Sequence, residues 1–477
     1  MDDSTSKGAT GRRSTSELAE GLAEGLASVV GSALGVGVRV EGLTRLSGGA
    51  SRETWSFVVV PADGGPDRRL VLQRERAGNA ATSQAMAVQA ELLAAAVAAG
   101  VPVPTVVVAD PDGVSLGAPA VVMDHVDGET IARRILRDDE YAAARDVLVA
   151  QAGAALAAVH RMDDAAVAAT EAEDPVAQMR NLLDAFGEPH PAFELGLRWL
   201  ERNRPAPRPA TVVHGDFRMG NLIVGPDGIR AVLDWELAHR GDPIEDLGWF
   251  CVRAWRFGSP AVAGGVGSVQ QLIDAYVAAG GAPVTVDEVR WWEALGTLRW
   301  GLICILQASV HLGGASRSVE LAAIGRRTAE NEEDLLEIVA GPSDRVPAPA
   351  ARPSVEVGAA PHDRPTAAEL LDAVEEYLTE VRDGVPGRLG FHARVAANVV
   401  ATVRREIELG PDQARLLDER LASLGISATG RAGEAELAAA IRRGDLDDRV
   451  DEVTDAVRAT VRDKLAVSNP GYWERPL

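Results

Sequence analysis

The chain has 477 residues, of which 46% are hydrophobic, and its formal net charge at pH 7 is −22. This length predicts two or three domains, and the hydrophobic content is sufficient for packed cores. The acidic balance argues against nonspecific nucleic-acid binding, which requires basic patches.

Cysteine usage and the apolar stretches indicate where the protein resides. Cys251 and Cys304 lie in apolar surroundings and are too few for a disulfide framework, which favours a reducing compartment. The N-terminal residues lack a basic segment followed by an apolar one, so no secretory signal is expected. Residues 291–312 include Glu293 and Arg299, which predicts a buried helix rather than a membrane span. We expect a soluble cytoplasmic protein without membrane contact.

The first third of the chain predicts a disordered terminus, a helix and then strands. Residues 1–15 are rich in Ser, Thr, Gly and charge, and the apolar spacing in residues 16–34 predicts an amphipathic helix. Alternating apolar residues and turn signals then predict strands and one more helix. The predicted strands are 38–46, 52–60, 69–74, 105–109 and 118–123, and the helix is about 82–99.

A glycine-rich turn separates the first two of these strands. It reads Ser-Gly-Gly-Ala-Ser at residues 47–51. Gly48 and Gly49 carry no Cβ atom, so the backbone amides there and at Ser51 could approach phosphate groups. A Gly-Gly turn also joins many ordinary hairpins, so this interpretation depends on a catalytic loop further along the chain.

The following residues are predicted to be largely helical. The predicted helices are 139–161, 175–186, 193–202, 244–257, 269–279, 286–312 and 319–339.

A polar loop between apolar runs interrupts these helices and carries the most specific signal. Residues 212–224 read Val-Val-His-Gly-Asp-Phe-Arg-Met-Gly-Asn-Leu-Ile-Val, and a later strand ends in Leu-Asp-Trp-Glu at 233–236. Phosphoryl transfer needs a carboxylate to orient and deprotonate a hydroxyl, together with oxygen ligands for magnesium. Asp216, Asn221 and Asp234 fit those three roles. The alternative is a hairpin whose Asp and Asn residues serve only turn chemistry.

This loop resembles that of the aminoglycoside phosphotransferase and choline kinase branch of the kinase-like enzymes. The protein-kinase signature is His-Arg-Asp, four residues and Asn, then a metal-binding Asp followed by Phe-Gly. Here Gly215 replaces the Arg, and Trp-Glu follows Asp234. The resemblance implies Asp216 as the catalytic base, Asn221 and Asp234 as Mg²⁺ ligands, and ATP as cosubstrate. It also implies a two-lobed, protein-kinase-like α/β (α+β) fold.

The nucleotide end departs from the kinase pattern. The resemblance places a phosphate-binding lysine on the third strand and a glutamate on the following helix, yet the matching residues are Gln73 and Gln89, with Glu91 a near alternative to Gln89. Lysine occurs only at positions 7 and 464. Two neutral amides could hydrogen-bond without burying an unpaired charge. Arg52, just after the glycine loop, is the better candidate for phosphate contact.

Two further groups of residues are assigned by the same resemblance. The segment from Asp124 to Val126 lies where the family has its interlobe hinge, and its backbone would face adenine, although a plain turn explains these residues equally well. His214, Asp242 and Asp246 are expected to be structural residues that brace the catalytic loop through packing, hydrogen bonds or helix capping.

Arginines among tryptophan-rich helices indicate the charge of the acceptor molecule. Arg253, Arg256 and Arg299 are an unusual number of cations for a core, and arginine forks suit phosphate or carboxylate groups. They favour an anionic acceptor over a polycationic aminoglycoside. Residues 38–340 resemble most closely the kinase-like phosphotransferases fused to acyl-CoA dehydrogenases, which implies a hydroxyacyl-CoA-like acceptor.

The composition changes after residue 340. Residues 341–365 contain six prolines and hardly any large apolar residue, which predicts a semi-rigid linker. Residues 366–477 predict an all-α domain that opens with a capping box, with one of its helices stopping at Gly410-Pro411. This part resembles a small helical domain of unknown function found beside such phosphotransferases.

We therefore predict a disordered N-terminus (1–15), a kinase-like domain (16–340; small lobe 37–123, large lobe 129–340), a linker and a helical domain. The predicted function is ATP-dependent phosphorylation of a small-molecule hydroxyl. The alternatives are an aminoglycoside or amino-alcohol kinase and, in another class, a pseudokinase that binds nucleotide or recruits a partner. The helical domain could support a homo-oligomer or bind a protein partner.

Overall fold

A five-stranded antiparallel sheet begins the fold. The computed structural model describes residues 15–46, 52–75, 86–163, 167, 174–342 and 365–474. The strands lie in the order β1-β2-β3-β5-β4, so the hairpin-connected β1, β2 and β3 are followed by β5 and then β4. The five predicted strands are all present, with ends that differ by one or two residues. Their bounds are β1 Val38–Arg45, β2 Arg52–Pro61, β3 Arg68–Glu75, β4 Val106–Asp110 and β5 Ala120–Asp124.

Helices cover this sheet because its strands alternate in burial. Trp55, Phe57 and Val59 on β2 are buried at every second position and form one core with residues of α1 (Thr15–Leu34), such as Leu26. A second helix, α2 (Met86–Ala99), contributes Met86 to a separate cluster with Val121 and Met123 of β5. The first four residues of the helix predicted over 82–99 lie outside the described part of the chain.

Two short antiparallel strand pairs, two helices and most of the helix Val269–Ala278 complete the first of two compact units, which comprises residues 1–171, 209–246 and 271–283. Strand β6 pairs with β9, and β7 pairs with β8. The Gln151 side chain of α4 accepts a hydrogen bond from Ile229 N–H (2.7 Å) and donates to Asp227 C=O (3.4 Å), which fixes the β7–β8 turn. The bounds are α3 Ala132–Arg137, α4 Ala142–Val159, β6 Thr211–Val213, β7 Leu222–Gly225, β8 Gly228–Val232 and β9 His239–Gly241.

Helices make up the second unit, which comprises residues 172–208, 247–270 and 284–477. Leu336, Leu421, Leu437 and Val453 belong to one buried cluster, so the C-terminal helices share a core with a helix of the predicted large lobe. The predicted domain boundaries stay a prediction. The helices that follow α4 are α5 Pro175–Phe186, α6 Pro191–Arg202, α7 Ile244–Cys251, α8 Val269–Ala278, α9 Val286–Leu312, α10 Val319–Ile324, α11 Thr328–Ala340, α12 Ala367–Gly384, α13 Gly387–Ser423, α14 Gly430–Arg443 and α15 Val450–Ser468.

The predicted stop at Gly410-Pro411 is wrong, because α13 continues through Pro411. A proline inside a helix removes one backbone hydrogen bond and usually breaks or kinks the helix. Contacts with α15 stabilise both sides of this position: Arg405 Nε donates to Val467 C=O (2.7 Å), and Gln413 Nε2 donates to Asp463 C=O (2.9 Å). Tertiary contacts therefore outweigh the local signal.

Two other predicted helices are shorter than expected. The helix predicted over 244–257 ends at Cys251, where the Arg256 guanidinium donates twice to the Cys251 carbonyl (Nε 3.0 Å, Nη2 2.7 Å). This side chain satisfies a carbonyl that the next helical turn would otherwise use. The helix predicted over 319–339 is interrupted by a 3₁₀ turn at Gly325, where a Cβ atom would lie 2.7 Å from the Cβ of Ala308.

Both cysteines are free thiols in the interior of the second unit. Cys251 ends α7 and Cys304 lies in α9, and each is buried. Burial raises the pKa of Cys304 to about 12, and burial likewise raises the pKa of Cys251. Both thiols are therefore protonated and unreactive in the folded protein.

Within the described ranges, two segments have the length and composition of a membrane span, Asp139–Val159 and Val286–Leu312. The structure buries 56% and 44% of their most apolar windows. A core helix meets the same two criteria, so these segments are weak evidence for a membrane span.

Candidate functional site

The polar loop at residues 214–221 connects the two short strand pairs. It follows β6, whose partner is β9, and it leads into β7, whose partner is β8. Gly215 adopts φ +76°, and a Cβ atom there would lie 2.4 Å from the Leu237 carbonyl oxygen. Glycine is required at this position because any side chain would displace the loop.

Asp216 is oriented by two neighbours from the same loop. Asn221 Nδ2 donates to the backbone carbonyl of Asp216 (2.9 Å) and to its carboxylate Oδ2 (2.7 Å). Arg218 Nε lies 3.0 Å from Oδ1 and 3.2 Å from Oδ2 of the same carboxylate. The base predicted from the sequence is therefore fixed in direction and still partly exposed. Arg218 was missed as a site residue, although its place two residues after Asp216 could have signalled this pairing.

A buried carboxylate supports this loop from behind. Asp246 has no exposed surface and accepts hydrogen bonds from His214 N–H (2.8 Å) and Gly215 N–H (2.9 Å). Its Oδ2 also lies 3.2 Å from His160 Nε2. Burial alone would raise the pKa of Asp246, but the hydrogen bond and charge of His160, followed by His214, lower it overall. The carboxylate is therefore ionised, and its geometry fits the bracing role predicted for Asp246.

His214 and Asp242 also occupy positions that fit structural roles. His214 is fully buried, and its Nε2 donates to Leu233 C=O (3.0 Å) while its Nδ1 accepts from Asp216 N–H (3.2 Å). Burial lowers the pKa of His214, so the neutral ring holds both ends of the catalytic segment. Asp242 Oδ1 accepts from Ile244 N–H (2.9 Å), which caps α7. Sequence reasoning missed His160, the partner of Asp246, since it lies 86 residues away along the chain.

Asp234 is a carboxylate held in an unusual conformation. It follows β8 with φ +67°, one of two non-glycine residues with positive φ in the described part of the chain. Within that part, its side chain has neither a hydrogen bond nor an ion pair. Burial, followed by the charges of Glu236 and Asp216, raises the pKa of Asp234 to about 6. Such strain and charge crowding are typical of functional positions.

The donor set near Asp234 suits magnesium bound together with phosphate. The Asn221 amide uses its nitrogen on Asp216, and its oxygen has no protein partner among the described residues. No cluster of three or more His, Cys, Asp and Glu side chains suited to a metal occurs in the described ranges. Mg²⁺ is commonly held by one or two protein oxygens plus substrate phosphates, so this sparse set fits.

The altered nucleotide end forms a connected polar chain. Gln89 Nε2 donates to Gln73 Oε1 (2.8 Å), and Gln89 Oε1 accepts from Arg52 Nη1. The Arg52 side chain is 4% exposed, and its Nε lies 3.7 Å from Glu236 Oε2. The structure thus connects Gln73, Gln89 and Arg52 by hydrogen bonds and favours Gln89 over Glu91. The role of these residues in nucleotide binding stays a prediction. Glu236 was missed.

The structure describes only some of the other residues predicted for the nucleotide site. The Asp124 carboxylate is engaged by Arg68 through two hydrogen bonds (2.7 and 2.8 Å), and Asp124 N–H donates to Thr105 C=O (2.9 Å). Among the described residues, the backbone N–H of Val126 has no such partner. Gly48, Gly49 and Ser51 lie outside the described residues.

The predicted acceptor arginines belong to the second unit. Arg253 Nη1 donates to Glu337 (2.9 Å) and lies 3.4 Å from Asp334. Burial raises the pKa of Asp334 to about 8, and the charge of Arg253 lowers it only in part. Arg253 and Arg256 line one cavity of about 280 Å³.

Arg256 and Arg299 each have a partner within that unit. Arg256 Nη2 donates to Glu293 (2.5 Å), and the Arg299 guanidinium lies 5.1 Å from the Trp249 ring centroid. Protein carboxylates therefore explain why Arg253 and Arg256 are tolerated in an aromatic interior, without any acceptor. The number of cations alone no longer argues for an anionic acceptor, and the acceptor role of these arginines stays a prediction.

The five-stranded sheet and the two strand pairs have the kinase-like fold of the aminoglycoside phosphotransferases. The chain belongs to the phosphotransferase enzyme family, which it matches over residues 42–292, more than half of its length. A crystal structure of a Ralstonia eutropha protein assigned as an aminoglycoside phosphotransferase has the same fold. The TM-score is 0.51 at 21% identity, and the match covers 68% of this chain and 99% of the other.

Curated relatives carry acyl-CoA dehydrogenase names. Acyl-CoA dehydrogenase family member 10 of mouse is 30% identical over 198 residues, which is 39% of this chain and 18% of the relative. Acyl-CoA dehydrogenase family member 11 of human is 35% identical over 97 residues, which is 18% of this chain and 12% of the relative. The chain thus spans less than a fifth of these relatives' length. The predicted resemblance is confirmed, including the C-terminal part, which matches a domain of unknown function, DUF6285, over residues 383–472.

Proposed function

We propose that the chain transfers the γ-phosphoryl group of ATP to a hydroxyl group of a small molecule. The observation that carries this proposal is the arrangement of Asp216, Asn221 and Asp234. One carboxylate is oriented and partly exposed, and beside it lie an amide oxygen and a second carboxylate that have no protein partner in the described ranges. Phosphoryl transfer depends mainly on positioning and charge, and this arrangement supplies both.

Each of the three residues would have a role in phosphoryl transfer. Asp216 would accept or orient the proton of the acceptor hydroxyl, because Asn221 and Arg218 hold its carboxylate in one direction. The Asn221 amide oxygen and the Asp234 carboxylate would hold Mg²⁺. Bound Mg²⁺–ATP supplies the phosphoryl group and the cationic charge that offsets its oxygens.

Arg52 would provide the phosphate contact that the strand lysine makes in protein kinases. Its guanidinium is fixed by Gln89, and Gln89 in turn by Gln73. The lysine and glutamate of the kinase pattern are thus replaced by two amides and by Arg52, whose Nε lies 3.7 Å from Glu236 Oε2. In this proposal the Gly48-Gly49 loop with Ser51 covers the phosphates, and the backbone from Asp124 to Val126 faces adenine.

The acceptor we propose is a hydroxyacyl-CoA-like molecule. Support comes from the relatives, which carry acyl-CoA dehydrogenase names. In this proposal Arg253, Arg256 and Arg299 are the candidate anion contacts. An aminoglycoside or amino-alcohol acceptor is the alternative within enzymes. The neutral pair of Gln73 and Gln89 favours the other alternative, a pseudokinase that binds nucleotide without turnover. We also propose a cytoplasmic location and a homo-oligomer or protein partner that uses the C-terminal helices.

Replacing Asp234 by Ala is expected to abolish magnesium-dependent ATP binding, because the variant lacks one of two protein oxygen ligands. Calorimetric titration of the wild type and the variant with ATP, with and without Mg²⁺, measures the binding affinity. A parallel titration with GTP tests whether the protein distinguishes adenine from guanine. Asp227→Ala, in the exposed β7–β8 turn, is the matched control and should bind like wild type. Absence of binding by the wild type would refute the kinase proposal and favour a nucleotide-independent role.

Replacing Arg253 or Arg256 by Ala is expected to raise the KM for an anionic acceptor by about tenfold or more, since a charge-assisted hydrogen bond contributes roughly 1.5–3 kcal/mol. Steady-state kinetics with hydroxyacyl-CoA acceptors measures the change, and thermal unfolding checks that each variant is folded. Arg326→Ala is the control, because Arg326 is exposed and pairs with Glu406. Unchanged kinetics in both variants would remove the anionic-acceptor proposal.

A further inference from the structure

A cavity of about 470 Å³ lies among α6, α11, α14 and α15 in the second unit. Its volume is within the range of small-molecule sites, about 300–1,000 Å³. Apolar side chains from three of these helices form much of the wall, including Leu195, Trp199, Ile441 and Val453. The residues that line it are distinct from those assigned to phosphotransfer, so the cavity calls for a separate explanation.

A buried arginine lines this cavity without a carboxylate partner. Arg458 is 8% exposed, and its Nη2 donates to the carbonyls of Leu336 (3.1 Å) and Gly341 (2.9 Å) at the C-terminal end of α11. Its Nε has no hydrogen-bond partner, and within the described part of the chain no carboxylate forms an ion pair with the guanidinium. A buried charge is costly unless it is paired, and helix-end carbonyls offset only part of it.

The other charged residues around the cavity do not balance Arg458. Arg198 and Arg202 both donate to the same carboxylate oxygen of Asp447, so these three form a network of their own. Asp451 and Asp455 also line the cavity, but both are exposed to water on α15. Among the charged residues that line the cavity, Arg458 is therefore the one that is buried, and it lines a space large enough for a ligand.

We propose that this cavity binds a small molecule with an anionic head group, a carboxylate or a phosphate monoester, on an apolar body. Arg458 meets the head group, because arginine forks match both chemistries. The apolar wall receives the body, and the exposed carboxylates of Asp451 and Asp455 disfavour additional negative charge on it. Two of the four helices around this site, α14 and α15, belong to DUF6285, a domain of unknown function.

The competing explanation is that Arg458 only caps the C-terminal end of α11. A capping role requires the two carbonyl hydrogen bonds but no affinity for anions, so ligand binding separates the two explanations. Calorimetry on the full chain with octanoate, octyl phosphate and 1-octanol provides the test, since the three probes share one tail and differ in head group. We expect at least one anionic probe to bind, and 1-octanol to bind about tenfold or more weakly.

Three variants test whether the anionic probe binds in this cavity. Arg458→Met is expected to weaken the anionic probe about tenfold or more, to the level of 1-octanol. Arg462→Met should leave it unchanged, because Arg462 is on the same helix but does not line the cavity. Should Arg458→Met fail to fold, Ala340→Trp tests whether the probe binds in the cavity. Ala340 is an exposed residue at the cavity wall, so the indole would fill the space and should abolish binding of the anionic probe. Absence of binding by both anionic probes, equal binding of 1-octanol, or full affinity in Ala340→Trp would overturn the proposal.

Discussion

Replacing Asp216 by Asn is expected to lower kcat by about 10²- to 10⁴-fold, the usual contribution of general base catalysis. The amide is nearly isosteric and can keep a hydrogen bond to Asn221, but it cannot accept the hydroxyl proton. Nucleotide affinity and the melting temperature should change little, because the amide oxygen can still accept from Asn221 or Arg218, and Asp246 and His214 hold the loop backbone. Steady-state kinetics gives kcat, and calorimetry gives the affinity for Mg²⁺–ATP.

The matched control for this variant is Asp227→Asn. Asp227 lies in the exposed β7–β8 turn and pairs with Arg230, so its neutralisation should leave kcat unchanged. A variant Asp216→Asn with wild-type turnover would show that another group accepts the proton. A simultaneous loss of Mg²⁺–ATP affinity would instead indicate that Asp216 acts mainly through the metal.

Replacing Asp246 by Ala is expected to lower the free energy of unfolding by about 3–5 kcal/mol, the cost of removing one partner from a buried charged network. The variant leaves the N–H groups of His214 and Gly215 without their acceptor and removes the partner of His160. Urea denaturation at neutral pH measures the loss. Asp242→Ala removes a single helix cap and should cost only about 0.5–2 kcal/mol.

Acid titration gives a second measurement on the same carboxylate. Because the folded-state pKa of Asp246 lies below its unfolded value of 3.8, its contribution is complete above that pH and is lost as the pH falls through the folded pKa. The wild type should therefore lose stability more steeply than Asp246→Ala as the solution becomes acidic. The bracing role would be contradicted if the stability of the two proteins fell in parallel with pH. A small loss of unfolding free energy in Asp246→Ala at neutral pH would contradict it as well.

The sequence predicted those parts of the site whose chemistry is encoded locally. Asp216 and Asn221 are five residues apart in one loop, and Asp234 closely follows the second strand of the β7–β8 hairpin, so residue type and spacing sufficed. Gln73 and Gln89 could be paired because the resemblance to kinase-like enzymes implies a strand lysine and a helix glutamate at the matching positions. In each case a short stretch of chain carries the information.

Other features depend on contacts between distant segments. His160 supports Asp246 from α4, and Glu236 meets Arg52 from the first sheet, and neither partner is marked by a local pattern. The continuation of α13 through Pro411 likewise depends on hydrogen bonds to α15. Local preferences are weak compared with tertiary packing, which is why these positions were missed or wrong.

The two buried thiols can report partial unfolding of the chain. Cys251 and Cys304 are the only cysteines, and both belong to the helical unit formed by residues 172–208, 247–270 and 284–477. A thiol reagent can modify them only when this unit opens, so the rate of modification under native conditions reports its opening free energy without an introduced label. The same rate, followed while ligands are added, would show which of them bind to and close the helical unit.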